Sequence, residues 1–161
     1  MNAPAPLAAF TIRNVEPEDL EEILAHRRLM FEDMGYSDEI MLAEIVESSR
    51  PRIRKYLAEK SYRGWFALAS DGRVAAGAGL LITEHVSGPL SPSQTRRAYL
   101  LNVYTYPEFR RQGLARQLTQ RAIDWCQAEG YKVLWLHASE YGRPLYQSMG
   151  FEQTNEMKLI L

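Results

Sequence analysis

The spacing of apolar residues in the first third of the chain predicts one strand followed by two helices. Residues 10–15 alternate between apolar and polar, as a short half-buried strand does. Pro17 then opens a helix in which apolar residues recur at helical spacing until Gly35. A second helical pattern covers residues 38–58, and we expect Pro51 to interrupt it, because proline disfavours the helical conformation in the residue before it.

The middle of the chain predicts a hairpin and a surface loop. Residues 65–69 and 74–83 read as two strands, and Ser70-Asp71-Gly72 between them is a typical hairpin turn. The segment SGPLSPSQT, residues 87–95, is rich in turn-forming residues and predicts a loop.

A strand, a helix and a second strand follow. Residues 98–106 are rich in β-branched and aromatic side chains, and an amphipathic helix runs from Gly113 to Gly130. Residues 133–136 form a continuous apolar run, as expected for a strand that is covered on both faces. These two strands should be parallel, since a helix connects them. A short helix over residues 141–149 and a closing strand over residues 151–161 complete the prediction.

Length and charge restrict the class of protein. The chain has 161 residues, a net charge of −1 and one cysteine, Cys126. We therefore expect a single domain over residues 10–161 after a flexible tail over residues 1–9. The near-neutral charge argues against nucleic acid as a partner, and no apolar run is long enough to span a membrane. Without an internal disulfide or a leader pattern, the expected location is the cytoplasm.

The stretch PEFRRQGLARQL, residues 107–118, predicts a site for an anion. It joins a strand to a helix, and the free N–H groups at a helix N-terminus favour negative charge. Gly113 lets the backbone approach a ligand closely, and Arg110 and Arg111 add positive charge. The P-loop and dinucleotide signatures are both absent here, so the motif itself indicates a cradle for phosphate or pyrophosphate.

Two motifs in this order resemble the GNAT superfamily of N-acetyltransferases. Arg110-x-x-Gly113-x-Ala115 is similar to the family's pyrophosphate signature, and LYQSMGF, residues 145–151, is similar to its second landmark. Ser139 and Gly142 depart from the family, which often has Asn and Ala there. The resemblance implies an α/β fold: a mixed, mostly antiparallel sheet with a central parallel βαβ unit and helices on both faces.

The resemblance also implies a co-substrate, acetyl-CoA, and no metal. The backbone of Val103 and Thr105 would pair with the pantetheine amides, and the amides of residues 111–116 would hold the pyrophosphate. Tyr146 would be the general acid that protonates the departing thiolate. The full set of residues assigned to the cofactor is Val103, Thr105, Arg110, Arg111, Gln112, Gly113, Leu114, Ala115, Arg116, Ser139 and Arg143.

The general base stays open between several residues. The candidates are Glu84, His85, Asn102 acting through a water, Glu32, Asp33 and His137. Cys126 lies on the apolar face of its helix and is expected to be a core thiol and not a nucleophile.

The expected reaction is transfer of acetyl to a primary amine of a small molecule or a peptide. The alternatives are a non-catalytic module that senses acyl-CoA and an enzyme that acetylates aminoacyl-tRNA, against which the charge argues. In this family the first two helices form a lip over the acceptor, and the acidic and apolar residues of segment 30–36 would suit a cationic amine. The resemblance further implies a homodimer.

Overall fold

The computed structural model describes residues 10–161, and the expected tail over residues 1–9 lies outside them. One mixed sheet has the strand order β1-β2-β3-β4-β5, and every neighbouring pair is antiparallel except β4 and β5, which are parallel. The strands are β1 (Thr11–Asn14), β2 (Tyr62–Leu68), β3 (Val74–Glu84), β4 (Arg96–Thr105) and β5 (Leu134–Leu136).

Helices cover both faces of the sheet, as expected. They are α1 (Leu20–Asp33), α2 (Glu39–Ala58), α3 (Leu114–Ala128) and α4 (Arg143–Ser148). One face is packed by α1 and α2 around Phe66, and the other is packed by α3 around Leu100. No helix in residues 10–161 is both long enough and apolar enough to cross a membrane.

Helix α2 is continuous, so the interruption expected at Pro51 is wrong. Pro51 lies inside the helix and is exposed, whereas Leu42, Ile53 and Leu57 are buried on one face. Burial of that face stabilises the helix on both sides of the proline, which outweighs the hydrogen bond that the ring removes.

The closing strand expected over residues 151–161 is also absent. This segment has no regular secondary structure, and Met157, Leu159 and Leu161 are exposed. Strand β5 therefore lies at the edge of the sheet, and the parallel pair stands at one end of the described sheet and not in its centre. All three residues of β5 are only half-buried, so the expectation that both its faces are covered is wrong.

Candidate functional site

Strands β4 and β5 part halfway along β4. They pair from Ala98 opposite Leu134 to Leu100 opposite Leu136, and β4 then continues to Thr105 without a partner on that side. The edge of β4 that carries Val103 and Thr105 is thus open. An open strand edge presents N–H and C=O groups that an extended ligand can use.

A bulge in β4 lies where the strands part. From Leu101 to Tyr104 the chain of β4 advances three residues, whereas the paired stretch of β3, from Gly79 to Gly77, advances only two. Asn102 is in the left-handed region, with φ of 53°, a conformation that asparagine adopts more readily than most residues. Its Nδ2 donates to the Tyr62 hydroxyl at 3.2 Å, and its Oδ1 accepts from Arg27 at 3.1 Å. These bonds hold the bulge in place.

The open edge of β4 leads directly to the N-terminus of α3. A single 3-10 turn, Pro107–Phe109, separates them, and Gly113 is the N-cap of α3 with φ of 78°. No side chain caps this end, and Gly113 is exposed. The first amides of α3 therefore remain available to an anion, as the sequence predicts.

The arginines of this loop have different surroundings. Arg110 donates from Nε to the Thr105 carbonyl at 3.0 Å, and its guanidinium pairs with Asp33. Its charge is therefore compensated, and the side chain fastens the loop to α1. Arg111 is exposed and has φ of 62°, while Arg116 donates to Ser148 Oγ at 2.5 Å and links α3 to α4. The positive charge that the sequence assigns to this site from Arg110 is thus used within the protein, whereas the first amides of α3 have no side-chain partner among the described residues.

Tyr146 lies on α4 and packs against the same core as α3. Its ring meets Phe151 edge to face at 5.7 Å between centroids, and burial raises its pKa to about 12. Among the described residues no hydrogen bond to its hydroxyl is found. The proton is therefore retained at neutral pH and is free to be donated to a ligand.

Ser139 and Gly142, the two positions that depart from the family pattern, are in direct contact with each other. Ser139 Oγ accepts from the Gly142 amide at 3.0 Å, and its carbonyl accepts from the Arg143 amide at 3.0 Å. A Cβ at position 142 would lie 3.2 Å from Tyr146 Cε2 and 3.3 Å from Ser139 Oγ. The departures from the family pattern are thus local: the serine side chain accepts from the amide of Gly142 just before α4, and the glycine leaves room for the tyrosine. Arg143 is exposed.

Comparison with known proteins agrees with this geometry. The sequence model of the acetyltransferase (GNAT) family matches residues 21–151. The chain belongs to this family. The resemblance drawn from the two motifs is confirmed, and so is the implied α/β fold with a mixed, mostly antiparallel sheet that contains one parallel pair and has helices on both faces.

Individual relatives give the same result. A GCN5-related N-acetyltransferase from Ralstonia eutropha JMP134 is 35% identical, with a TM-score of 0.90 over 95% of this chain and 99% of that one. A predicted acetyltransferase from Clostridium acetobutylicum, solved with acetyl-CoA, has 22% identity and a TM-score of 0.85 over 95% and 96% of the two chains, which shows the fold alone. The ribosomal protein bS18-alanine N-acetyltransferase of Escherichia coli K12 is 33% identical over 91 residues, which are 55% of this chain and about half (54%) of that relative.

In this GNAT domain the candidate bases are widely separated. Glu84 pairs in register with Arg96 at the end of β4 farthest from the α3 loop. Leu100, where the strands part, comes four residues after Arg96 along β4. Glu84 and the adjacent His85 therefore lie at least roughly 13 Å along the sheet from that point. Asn102 is buried and uses both ends of its amide for structural bonds.

His137 lies closest to the parting point, since it follows β5 directly. Its Nδ1 contacts the Tyr99 hydroxyl, and its Nε2 is 3.6 Å from the carboxylate of Glu156. The His137 side chain is 76% exposed, so it is accessible to a ligand at this point.

The acidic residues of segment 30–36 pair with arginines of the protein. Glu32 accepts from Arg28 at 2.7 Å, and Asp33 pairs with Arg110. Arg28 also pairs with Glu39 at 2.6 Å, so it is shared between two carboxylates. The negative charge of the segment is therefore compensated in part, which weakens the reason for expecting a cationic acceptor.

Three residues near the parting point were not singled out from the sequence. Arg97, Tyr99 and Trp135 share the α1/α2 face of the sheet, because Tyr99 pairs in register with Trp135 and Arg97 stacks on that indole. The sequence feature that could have identified them is a charged residue, Arg97, two positions before Tyr99 and therefore on the same face of an aromatic-rich strand.

Proposed function

We propose that this chain transfers an acetyl group from acetyl-CoA directly to a primary amine of a small molecule or a peptide. One observation carries the proposal: the open edge of β4 at Val103–Thr105 leads within one turn to the uncapped N-terminus of α3. This is the arrangement that a long cofactor with amide groups and a pyrophosphate requires. Membership of the acetyltransferase family and an acetyl-CoA complex in a structural neighbour support it.

Successive parts of acetyl-CoA are assigned to successive segments of the chain. The pantetheine amides pair with Val103 and Thr105 as an added strand would, and the pyrophosphate lies on the amides of residues 111–116. Ser139 and Arg143, at the start of α4, lie beyond the end of β5 and complete the assigned contacts. The acetyl thioester then lies between β4 and β5 where the strands part.

The chemistry is a direct displacement. The neutral amine attacks the thioester carbon, forming the C–N bond, and the C–S bond breaks when the tetrahedral intermediate collapses. Tyr146 gives its proton to the departing sulfur, and a pKa of about 12 keeps that proton in place until it is needed. The proton of the amine passes to a base, for which His137 has the best position, directly or through water.

A covalent acyl-enzyme is not part of this proposal. Cys126 is 4% exposed in the core under α3, and burial raises the pKa of its thiol to about 11. A thiol in that environment is a poor nucleophile. Both substrates must therefore be bound at once.

The test is a turnover screen with acetyl-CoA and a set of primary amines that includes amino acids, polyamines, aminoglycosides and peptides. Peptides with an N-terminal alanine belong in the set, because the Escherichia coli relative is an alanine N-acetyltransferase. We expect thiol release that requires one of these amines and an equal amount of acetylated amine. Tight binding of acetyl-CoA without thiol release for any amine would favour a sensor instead.

We further propose that residues 10–161 act as one acyltransferase domain in a cytoplasmic homodimer. The support for the dimer is the unpaired edge of β5 together with the exposed apolar residues Met157, Leu159 and Leu161. An apolar segment beside an open edge is suited to strand pairing between copies. Light scattering after size exclusion should give twice the mass of the chain, and removal of residues 156–161 should give the monomer; a full-length monomer would contradict the proposal.

A further inference from the structure

A pocket of about 170 Å³ lies between the β3–β4 loop and strands β4 and β5. It opens on the face of the sheet that carries α1 and α2. Its walls are formed by His85, Gly88, Pro89, Leu90, Ser91, Gln94, Arg96, Arg97, Val133 and Trp135.

The pocket adjoins the parting point of the strands. Arg97 and Trp135 in its wall are followed, two residues later on the same face, by Tyr99 and His137. Two residues of a strand span roughly 7 Å. A small molecule can therefore place one end at the thioester and the other end in the pocket.

Arg97 is a cation whose charge no carboxylate of residues 10–161 compensates. Its guanidinium lies 4.3 Å from the Trp135 ring centroid and 5.5 Å from that of Tyr99. Its Nε is buried and has no hydrogen-bond partner among the described residues. No ion pair within residues 10–161 includes it. A buried donor without a partner costs free energy, so the position is poised for an acceptor group from a ligand.

Two carboxylates near the pocket form no ion pair with Arg97. Glu84, next to His85 of the pocket wall, is exposed and stands opposite Arg96 in the strand register, and Glu156 contacts His137. Arg27, on the same face near the bulge, donates to two neutral side chains, Ser49 and Asn102. Within residues 10–161, this face thus carries two arginines without carboxylate partners.

We propose that this pocket binds an anionic group of the acceptor, a carboxylate or a phosphate, through Arg97. The inference rests on the proposed acetyl transfer and gives it a substrate class: amines that carry a negative charge about 7 Å from the nitrogen. The planar guanidinium offers a forked pair of donors that matches either anion. Trp135 and Tyr99 hold it in position by stacking.

Binding is tested first without catalysis. The protein saturated with CoA is titrated with malonate, inorganic phosphate and neutral malonamide while tryptophan fluorescence is followed, and Trp135→Phe identifies the source of the signal. We compare wild type, Arg97→Gln and a matched control, Arg63→Gln, because Arg63 also stacks on a tryptophan, Trp125, at 4.8 Å. An anion should bind to wild type and to the control, and at least 10-fold more weakly to Arg97→Gln, whereas malonamide should not bind.

Acceptors are then compared in matched pairs. 5-Aminopentanoate is paired with 5-aminopentanamide, and 3-aminopropyl phosphate with 3-aminopropanol, so that each pair differs in the anionic group and the anion can reach about 7 Å from the nitrogen. The preferred charged member should have a KM at least 10-fold below that of its neutral partner. Arg97→Gln should remove this preference without changing the KM of acetyl-CoA.

The outcomes separate the two proposals. Preference for malonate and 5-aminopentanoate identifies a carboxylate acceptor, and preference for phosphate and 3-aminopropyl phosphate identifies a phosphate acceptor. If neither anion binds, or if Arg97→Gln binds it as wild type does, the inference is overturned even when acetyl transfer is observed. If no amine is acetylated but Arg97-dependent binding persists, the proposed reaction fails and the anion site stands.

Discussion

Replacing Tyr146 with phenylalanine removes one hydroxyl and leaves the ring, so it separates chemistry from packing. The ring contact with Phe151, at 5.7 Å between centroids, does not involve the hydroxyl. Since the hydroxyl has no hydrogen bond among the described residues, its removal should change the free energy of unfolding by less than about 0.5 kcal/mol. For a domain of this size the melting temperature should shift by no more than about 2 °C.

The effect on turnover should be much larger. Loss of a general acid lowers kcat by roughly 10²- to 10⁴-fold, which corresponds to about 2.7–5.5 kcal/mol in the activation barrier. The affinity for acetyl-CoA should stay close to wild type, because the missing interaction is made in the transition state. The matched control is Tyr141→Phe, since Tyr141 is 90% exposed on the same segment and should behave as wild type.

The assay follows the thiol of CoA with a disulfide reagent, together with acetyl-CoA binding and thermal melting. Because the pKa of Tyr146 is about 12, the tyrosine keeps its proton as the pH is raised to about 10. Deprotonation of Tyr146 should therefore not slow the wild-type enzyme over that range. A Tyr146→Phe enzyme within about 3-fold of wild-type kcat would refute the role of Tyr146. A large drop in melting temperature would show instead that the hydroxyl makes a structural bond.

Three further predictions follow from individual residues. Gly113→Ala should lower the free energy of unfolding by about 1 kcal/mol, because φ of 78° disfavours any side chain. Gly113→Asp should in addition weaken acetyl-CoA binding strongly. Unchanged affinity in isothermal titration would mean that the proposed cradle is misplaced. Cys126 should resist alkylation in the folded protein and react fully in denaturant, and rapid labelling of native protein would contradict its burial. The contact with His26 Nε2, 3.2 Å away, and a hydrogen bond from the Tyr106 hydroxyl lower the pKa of Glu22 below its usual 4.5. This group therefore stabilises the fold above that pH, and the contribution is lost as the pH falls. Glu22→Gln should therefore lose less stability than wild type between pH 6 and pH 4 in urea unfolding, and identical losses would exclude the linkage.

The backbone geometry of the proposed cradle could be predicted from sequence because it depends on local chemistry. Gly113 at the junction of a strand and an amphipathic helix determines both the backbone conformation and the position of the free amides. The strand and helix patterns on either side are likewise local, and the structure confirms them.

Features that depend on pairing across the chain were not predictable in the same way. Pro51 remains helical because distant residues bury the opposite face of α2. Residues 151–161 form no strand: Phe151 packs against Tyr146, but Met157, Leu159 and Leu161 stay exposed. The acidity of Glu32 and Asp33 was visible in the sequence, whereas their compensation by Arg28 and Arg110 was not. The role proposed for Arg97 could not be predicted from the sequence either, because only the folded chain shows that its Nε has no hydrogen-bond partner among the described residues.

The central claim is direct transfer of acetyl from acetyl-CoA to an amine while both are bound. The most direct measurement mixes the protein with a stoichiometric amount of isotopically labelled acetyl-CoA, with and without an amine that the turnover screen identifies, and follows thiol and label by mass spectrometry. We predict no labelled protein and little thiol without the amine, and equal amounts of thiol and labelled amine with it. Labelled protein that forms before the amine is added, or thiol release without labelled amine, would contradict the account.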